Sequence, residues 1–218
     1  MAERDPALAS EKRTRILPLL LVIAVAAMLV FSCTSLIYYL QAKDRRDAEY
    51  KAQYVLIQEM EFSITSIFTS VDSMMNNSYN LTQRYDFGRI AMISFDELSW
   101  SCEVLKNMYL SGSEEYLTFG ELELASSSTS VVCDRMLEKI WQNITTGEPY
   151  VHNTTVATAM SNAGYLFYNT LYCIGQRFDS SKDWQRDPYS VVKGMDLEGI
   201  RTNATQIVYV TSPWISPW

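Results

Sequence analysis

Apolar and polar positions follow three regimes along the chain. From Ile16 to Leu40 (ILPLLLVIAVAAMLVFSCTSLIYYL) 25 residues pass without a charged side chain. At about 1.5 Å per residue such a helix reaches roughly 37 Å, enough to cross a hydrocarbon core of about 30 Å. In the second regime, apolar residues recur at alternating spacings of three and four. Gln41 to about Gln83 holds no Gly or Pro, and Ile57, Met60, Ile64, Ile67, Val71, Met74 and Leu81 form a heptad seam that only Ser78 interrupts. This spacing predicts one helix packed along a single stripe, with Asn76 and Asn80 on its outward face. The third regime starts at Asp179, where the periodicity fades into a polar segment containing Trp184.

Three more helices are predicted inside the second regime. A break at Tyr85-Asp86-Phe87-Gly88, with Asp86 as cap, opens a helix carrying Ile90, Ala91, Leu98, Cys102, Leu105 and Met108, which ends near Ser111-Gly112. A third follows Gly120 with Leu122, Ala125, Val132, Met136, Ile140 and Ile144, weakened at Ser126 to Ser130 and ended by Gly147 and Pro149. Asn153, Thr154 and Thr155 cap a fourth, whose stripe is Val156, Met160, Ala163, Phe167, Leu171 and Ile174. Short connections make sequential helices antiparallel neighbours. The expected class is therefore all-α: a polar stub over 1–15, a transmembrane helix over 16–40, an antiparallel four-helix-like bundle over 41–178, and a short irregular tail over 179–218. Within that tail Gln206-Ile207-Val208-Tyr209-Val210 reads as a solitary strand.

The flanks of the apolar run leave its orientation open by charge alone. Arg4, Lys12, Arg13 and Arg15 precede it, and Lys43, Arg45, Arg46 and Lys51 follow, a tie under the positive-inside rule. A short tail that stays behind easily, and Asn-x-Ser/Thr triplets at Asn76, Asn80, Asn143, Asn153 and Asn203, favour a cytoplasmic stub and an extracytoplasmic body. The preferred reading is an uncleaved signal anchor, since no small-x-small cleavage site ends the run. The alternative is a lipoprotein signal at Val30-Phe31-Ser32-Cys33, against which stand the bulky Phe31 and the apolar residues continuing past Cys33. A buried hairpin or core helix is a third reading.

Composition narrows the functions. Ala52 to Tyr150 holds 5 Lys/Arg against 14 Asp/Glu, a balance that repels phosphate backbones, so nucleic acid is not an expected partner. Cys102, Cys133 and Cys173 outside the anchor cannot all pair within one chain, and no Cys-x-x-Cys occurs. They read as small buried side chains on three helices, or as one disulfide with a spare thiol. The single histidine, His152, has no second histidine to share a metal, and no Walker loop, Gly-x-Gly-x-x-Gly or Gly-x-Ser-x-Gly is present. The carboxylate pairs Glu114-Glu115, Glu121 with Glu123, Asp134 with Glu138 and Asp183 with Asp187 read as solvated positions. No catalytic residue, cofactor or metal is expected. Aromatic residues crowd the fourth helix instead; most are expected in the core, and those left exposed, with Tyr165, Tyr168, Tyr172 and Trp184 as the candidates, would form a ligand pocket or protein interface.

A basic tail, an anchor, and a long juxtamembrane helix running into a helical body over about residues 12 to 178 resemble the extracytoplasmic input region of bacterial single-chain membrane receptors. That resemblance implies a sensory or binding module. No second span, kinase, methyl-accepting coiled coil or output domain accompanies it in this sequence. A looser likeness, through element order and Ala163-Gly164-Tyr165, is to the helical half of anchored spore-germination proteins. The expectation is a single-pass membrane protein whose body binds a protein partner without catalysis. The alternative is a structural or assembly protein of the cell envelope, oligomerising through the Ile57 to Leu81 seam. An enzyme or redox thiol protein, and a eukaryotic type II glycoprotein, are lesser alternatives.

Overall fold

A computed structural model of the chain describes residues 6–147, 153–175, 192 and 194–215. Among the described residues there are five helices and no strand: α1 (Pro6–Met75), α2 (Leu81–Asn107), α3 (Glu114–Thr146), α4 (Thr154–Gly175) and α5 (Leu197–Thr211). A 3-10 turn, Ser212–Trp214, follows α5. The chain divides into two compact units, residues 1–49 and 50–218.

The first unit is the N-terminal part of α1. Its apolar stretch is long enough to cross a membrane by length and composition, with a mean hydropathy of 1.6 and none of the apolar window buried. Val22, Val25, Met28, Phe31, Leu36 and Ile37 all stand exposed. Thr34 returns its hydroxyl proton to the carbonyls of Val30 and Phe31, satisfying that polar group within the helix.

The second unit is a bundle with an interior supplied by all five helices. Ile57, Met60, Ile64, Ile67, Val71 and Met74 of α1 are each at most 1% exposed, so the seam is consumed within the chain. Burial of such a side chain contributes about 1.5–3 kcal/mol. Leu81 does not continue that stripe. α1 stops at Met75, and Leu81 opens α2 because Asn80 and Gln83 form a capping box: the Asn80 carbonyl oxygen accepts from the Gln83 N–H at 2.9 Å, and the Gln83 side chain accepts from the Asn80 N–H at 3.1 Å. The expected break at Tyr85–Gly88 is therefore helical, Asp86 caps nothing, and Asn76 and Asn80 lie in the connecting loop rather than on a helix face. Gly88 sits mid-helix because a Cβ there would clash with Leu137 Cδ2 and lie 2.7 Å from Met74 Sδ.

α3 likewise starts earlier than the Gly120 signal implies, at Glu114, where the Ser113 side chain accepts from the Tyr116 N–H at 3.2 Å. Within the Ser126 to Ser130 cluster, which stays helical, two hydroxyls find buried acceptors: Ser126 donates to the Phe95 carbonyl at 2.7 Å, and Thr129 to the Ala125 carbonyl at 2.7 Å. Gly147 ends α3 at φ 71°, as a left-handed C-terminal residue does. The Asn153 carbonyl oxygen caps α4 through the N–H groups of Thr155 and Val156.

The tail differs most from expectation. The Gln206 to Val210 run lies within helix α5, capped by Asp196 through the Gly199 N–H at 2.9 Å. Ile200, Ala204 and Ile207 are fully buried, at spacings of four and three, so packing against α3 and α4 overrides the β preference of Ile-Val-Tyr-Val. The bundle is accordingly a ring in the order α1, α2, α3, α5, α4, closed by Phe68 and Val71 of α1 against Tyr168 and Gly164 of α4, in which α3 and α4 barely touch. Contacts of Met60 with Cys102 and of Ser66 with Ser94 make α1 and α2 antiparallel, as Ser126 with Phe95 and Lys106 with Glu123 do for α2 and α3. Glu121 meets Arg201 and Thr205 while Arg135 donates to the Trp214 carbonyl at 3.0 Å, so α3 and α5 run parallel. A closed ring of five alternating helices must contain one such parallel pair.

Candidate interaction surface

Tyr165, Tyr168 and Tyr172 stand at spacings of three and four, on one face of α4. α1 adds Phe68, so the structure joins four rings into one surface. The Phe68 ring stacks on Tyr168 with centroids 4.6 Å apart and meets Tyr165 edge-on at 5.8 Å. Tyr168 and Tyr172 meet edge-on at 5.4 Å, and the Tyr172 hydroxyl donates to that of Tyr168 at 3.2 Å. That hydrogen bond, before the charge of Tyr168, holds the Tyr172 phenol above its ordinary value. Tyr165 is 63% exposed and Tyr172 61%, whereas Phe167 on the opposite face is buried against Phe95. The flank is thus a fixed aromatic array with free faces. A hollow of about 410 Å³ lies beside it, lined by Tyr168, Leu171, Tyr172 and Gly175. Gly164 brings the helices close here, its backbone lying against Val71 of α1. Trp184, the fourth candidate interface residue, lies outside the described residues, as do His152, Asp183 and Asp187.

The sequence reading missed a second surface. A groove of about 510 Å³ runs between α1 and α2, with Phe62 and Trp100 on its rims and Ser63 and Ser101 on its floor. Ser63 donates to Glu97 at 3.4 Å, and Ser94 to Ser66 at 2.7 Å, so small hydroxyl side chains let α1 and α2 approach closely. Phe62 is 72% exposed and Trp100 57%. A signal for both existed: each is a large aromatic standing off its helix's apolar stripe.

The four thiols are unpaired: Cys33 stands exposed on α1, and Cys102, Cys133 and Cys173 lie one each on α2, α3 and α4. Burial pushes Cys133 up to about 12 and Cys102 higher still, and burial before the nearby Asp196 raises Cys173. Low-pKa thiolate chemistry has no foothold in such settings. Of the carboxylate pairs, Glu121 and Glu123 are divided between structural partners: Glu121 bonds Arg201 and Thr205, and Glu123 pairs with Lys106. Among the described residues no three His, Cys, Asp or Glu side chains gather as a metal site. No protein-family model, curated protein or solved structure matches the chain.

Proposed function

We propose that this chain is a single-pass membrane protein whose helical body stands on the extracytoplasmic side and binds a protein partner through the aromatic flank of α4, without catalysis of its own. The observation that carries the reading is the array of Phe68, Tyr165, Tyr168 and Tyr172, in which ring contacts to the half-buried Phe68 and Tyr168 order the exposed Tyr165 and Tyr172. Aromatic side chains held in place before binding bury large area at low entropic cost, which is why they dominate protein interfaces. The apolar stretch of α1 supplies the anchor, and a partner in or at the same membrane is met in two dimensions rather than three.

Burial speaks against the alternative, assembly through the Ile57 to Leu81 seam, over its Ile57 to Met74 part. Those side chains are buried within the chain, and pairing them with a second copy would first require opening the bundle.

The test is photo-crosslinking in the native membrane, with benzoylphenylalanine at position 172 and, as a control, at the exposed position 142 on α3. One discrete crosslinked protein from position 172 alone is expected, abolished by Y165A in the same chain. Crosslinks equal at both positions, or absent at 172, overturn the partner surface.

A further inference from the structure

We propose that Asn76, Asn80 and Asn153 are acceptors for N-linked oligosaccharide, so that one end of the bundle carries sugar while its aromatic flank stays bare. The proposal rests on the extracytoplasmic placement of the body proposed above. Five Asn-x-Ser/Thr triplets occur where composition alone gives about two, but their number matters less than their placement. α1 ends at Met75 and α2 begins at Leu81; α3 ends at Thr146 and α4 begins at Thr154. Because α2 and α3 are antiparallel, with Tyr85 against Trp141 at 5.1 Å, these two loops lie at the same end of the bundle. Asn76, Asn80 and Asn153 all fall there, a clustering that the linear sequence does not display.

Local geometry separates the five. Asn76 and Asn80 are exposed and Asn153 is half-exposed. In each the carbonyl oxygen is engaged by backbone, from Ser78 at 2.9 Å, Gln83 at 2.9 Å and Thr155 at 3.1 Å respectively. Their Nδ2 groups make no hydrogen bond to the described residues, so a sugar there displaces nothing. Asn203 is the opposite case. Its Nδ2 faces Cys173 Sγ at 3.9 Å across the α4/α5 contact, and Thr205 of the same triplet donates to Glu121 of α3 at 3.0 Å. A glycan at Asn203 would stop α5 from docking. Asn143 shares the favoured end, but its Nδ2 is tied to the Lys139 carbonyl at 2.6 Å within α3.

The reaction needs a polyisoprenyl-phosphate-linked oligosaccharide and a membrane transferase. The asparagine Nδ2 forms a bond to C1 of the reducing-end sugar as the C1–O bond to phosphate breaks. The electron pair leaves on the phosphate oxygen, and Nδ2 gives up one proton to a base of the transferase. Asn80 and Asn153 keep their capping role, since the carbonyl oxygen that caps is not the atom modified.

Peptide mass mapping of the full chain from its native membrane is the experiment, paired with a membrane-impermeant amine reagent applied to intact cells. Carbohydrate mass is expected on the peptides of Asn76, Asn80 and Asn153, and none at Asn143 or Asn203, with Lys139 labelled and Lys12 not. Replacing the asparagines would remove helix caps, so the variants are S78A, T82A and T155A, each expected to lose one glycan; T205A should lose none. Labelled Lys139 with bare asparagines overturns the acceptor assignment alone. Labelled Lys12 and unlabelled Lys139 overturn the placement on which it rests. Sugar at Asn203 overturns the geometric selection.

Discussion

Glycine positions separate packing from propensity at the scale of single residues. Gly88→Ala removes a residue about 1 kcal/mol poorer than alanine in a helix, yet its methyl group would meet Leu137 and Met74 inside the core. Overpacking of this kind costs about 1–3 kcal/mol, so a net loss of stability is expected in thermal melts. At Gly120 the nearest atom to such a methyl group is Cδ of the flexible Lys106 side chain, at 3.4 Å, and alanine there should raise the melting temperature. Opposite signs from the same substitution are the check. The buried thiols set a pH dependence. Cys133 is raised from 9.0 to about 12, so its contribution is fully present below about 9 and is lost as the pH climbs towards 12. The detergent-solubilised chain should therefore lose stability above pH 9, less steeply in C133A once its lower baseline is subtracted.

Helix ends and docking faces decide the elements. Asn80→Ala removes the α2 cap and should cost about 1 kcal/mol, with T82A, which leaves the cap in place, near neutral in the same melt. α5 has 15 residues, near the length at which an isolated helix is marginal in water. A peptide of residues 196–215 is expected to show little helicity alone, by circular dichroism. Strong helicity in the isolated peptide would mean that α5 is helical by propensity rather than by docking. Ile207→Ala, at a fully buried position, should destabilise by about 2–5 kcal/mol and free α5 first, read as faster hydrogen exchange there than in α2.

At the scale of the bundle, the ring closes only because α5 fills the gap between α3 and α4. The parallel α3/α5 pair is the topological signature. Cysteines at positions 121 and 205 should be joined by a short bismaleimide, whereas cysteines at 135 and 205 should not, because Arg135 lies one end further along, at Trp214. The reverse pattern would mean an antiparallel pair and a different ring. The same closure divides the outer surface between a loop end bearing the three proposed acceptor asparagines and a flank bearing the aromatic rings. Tyr168 stands 15 residues beyond Asn153, about 22 Å along α4.

The sequence by itself determined what depends on local periodicity and solvation: the all-α class, the apolar N-terminal helix, the interior stripe from Ile57 to Met74, the Asn153 cap and the Gly147 stop. Tyr165, Tyr168 and Tyr172 were legible as one helix face because three-and-four spacing is a property of the backbone alone. Phe68 was not, since its membership depends on which helix α1 meets. Nor were Phe62 and Trp100, which become groove rims only when α1 and α2 pack closely over serines. The α2 start was misplaced because Gly88 reads as a breaker until Leu137 and Met74 explain it. Only tertiary structure decided Gln206 to Val210: its β-branched residues favour a strand by intrinsic preference, and burial of Ile200, Ala204 and Ile207 against α3 and α4 outweighs preferences of a few tenths of a kcal/mol per residue.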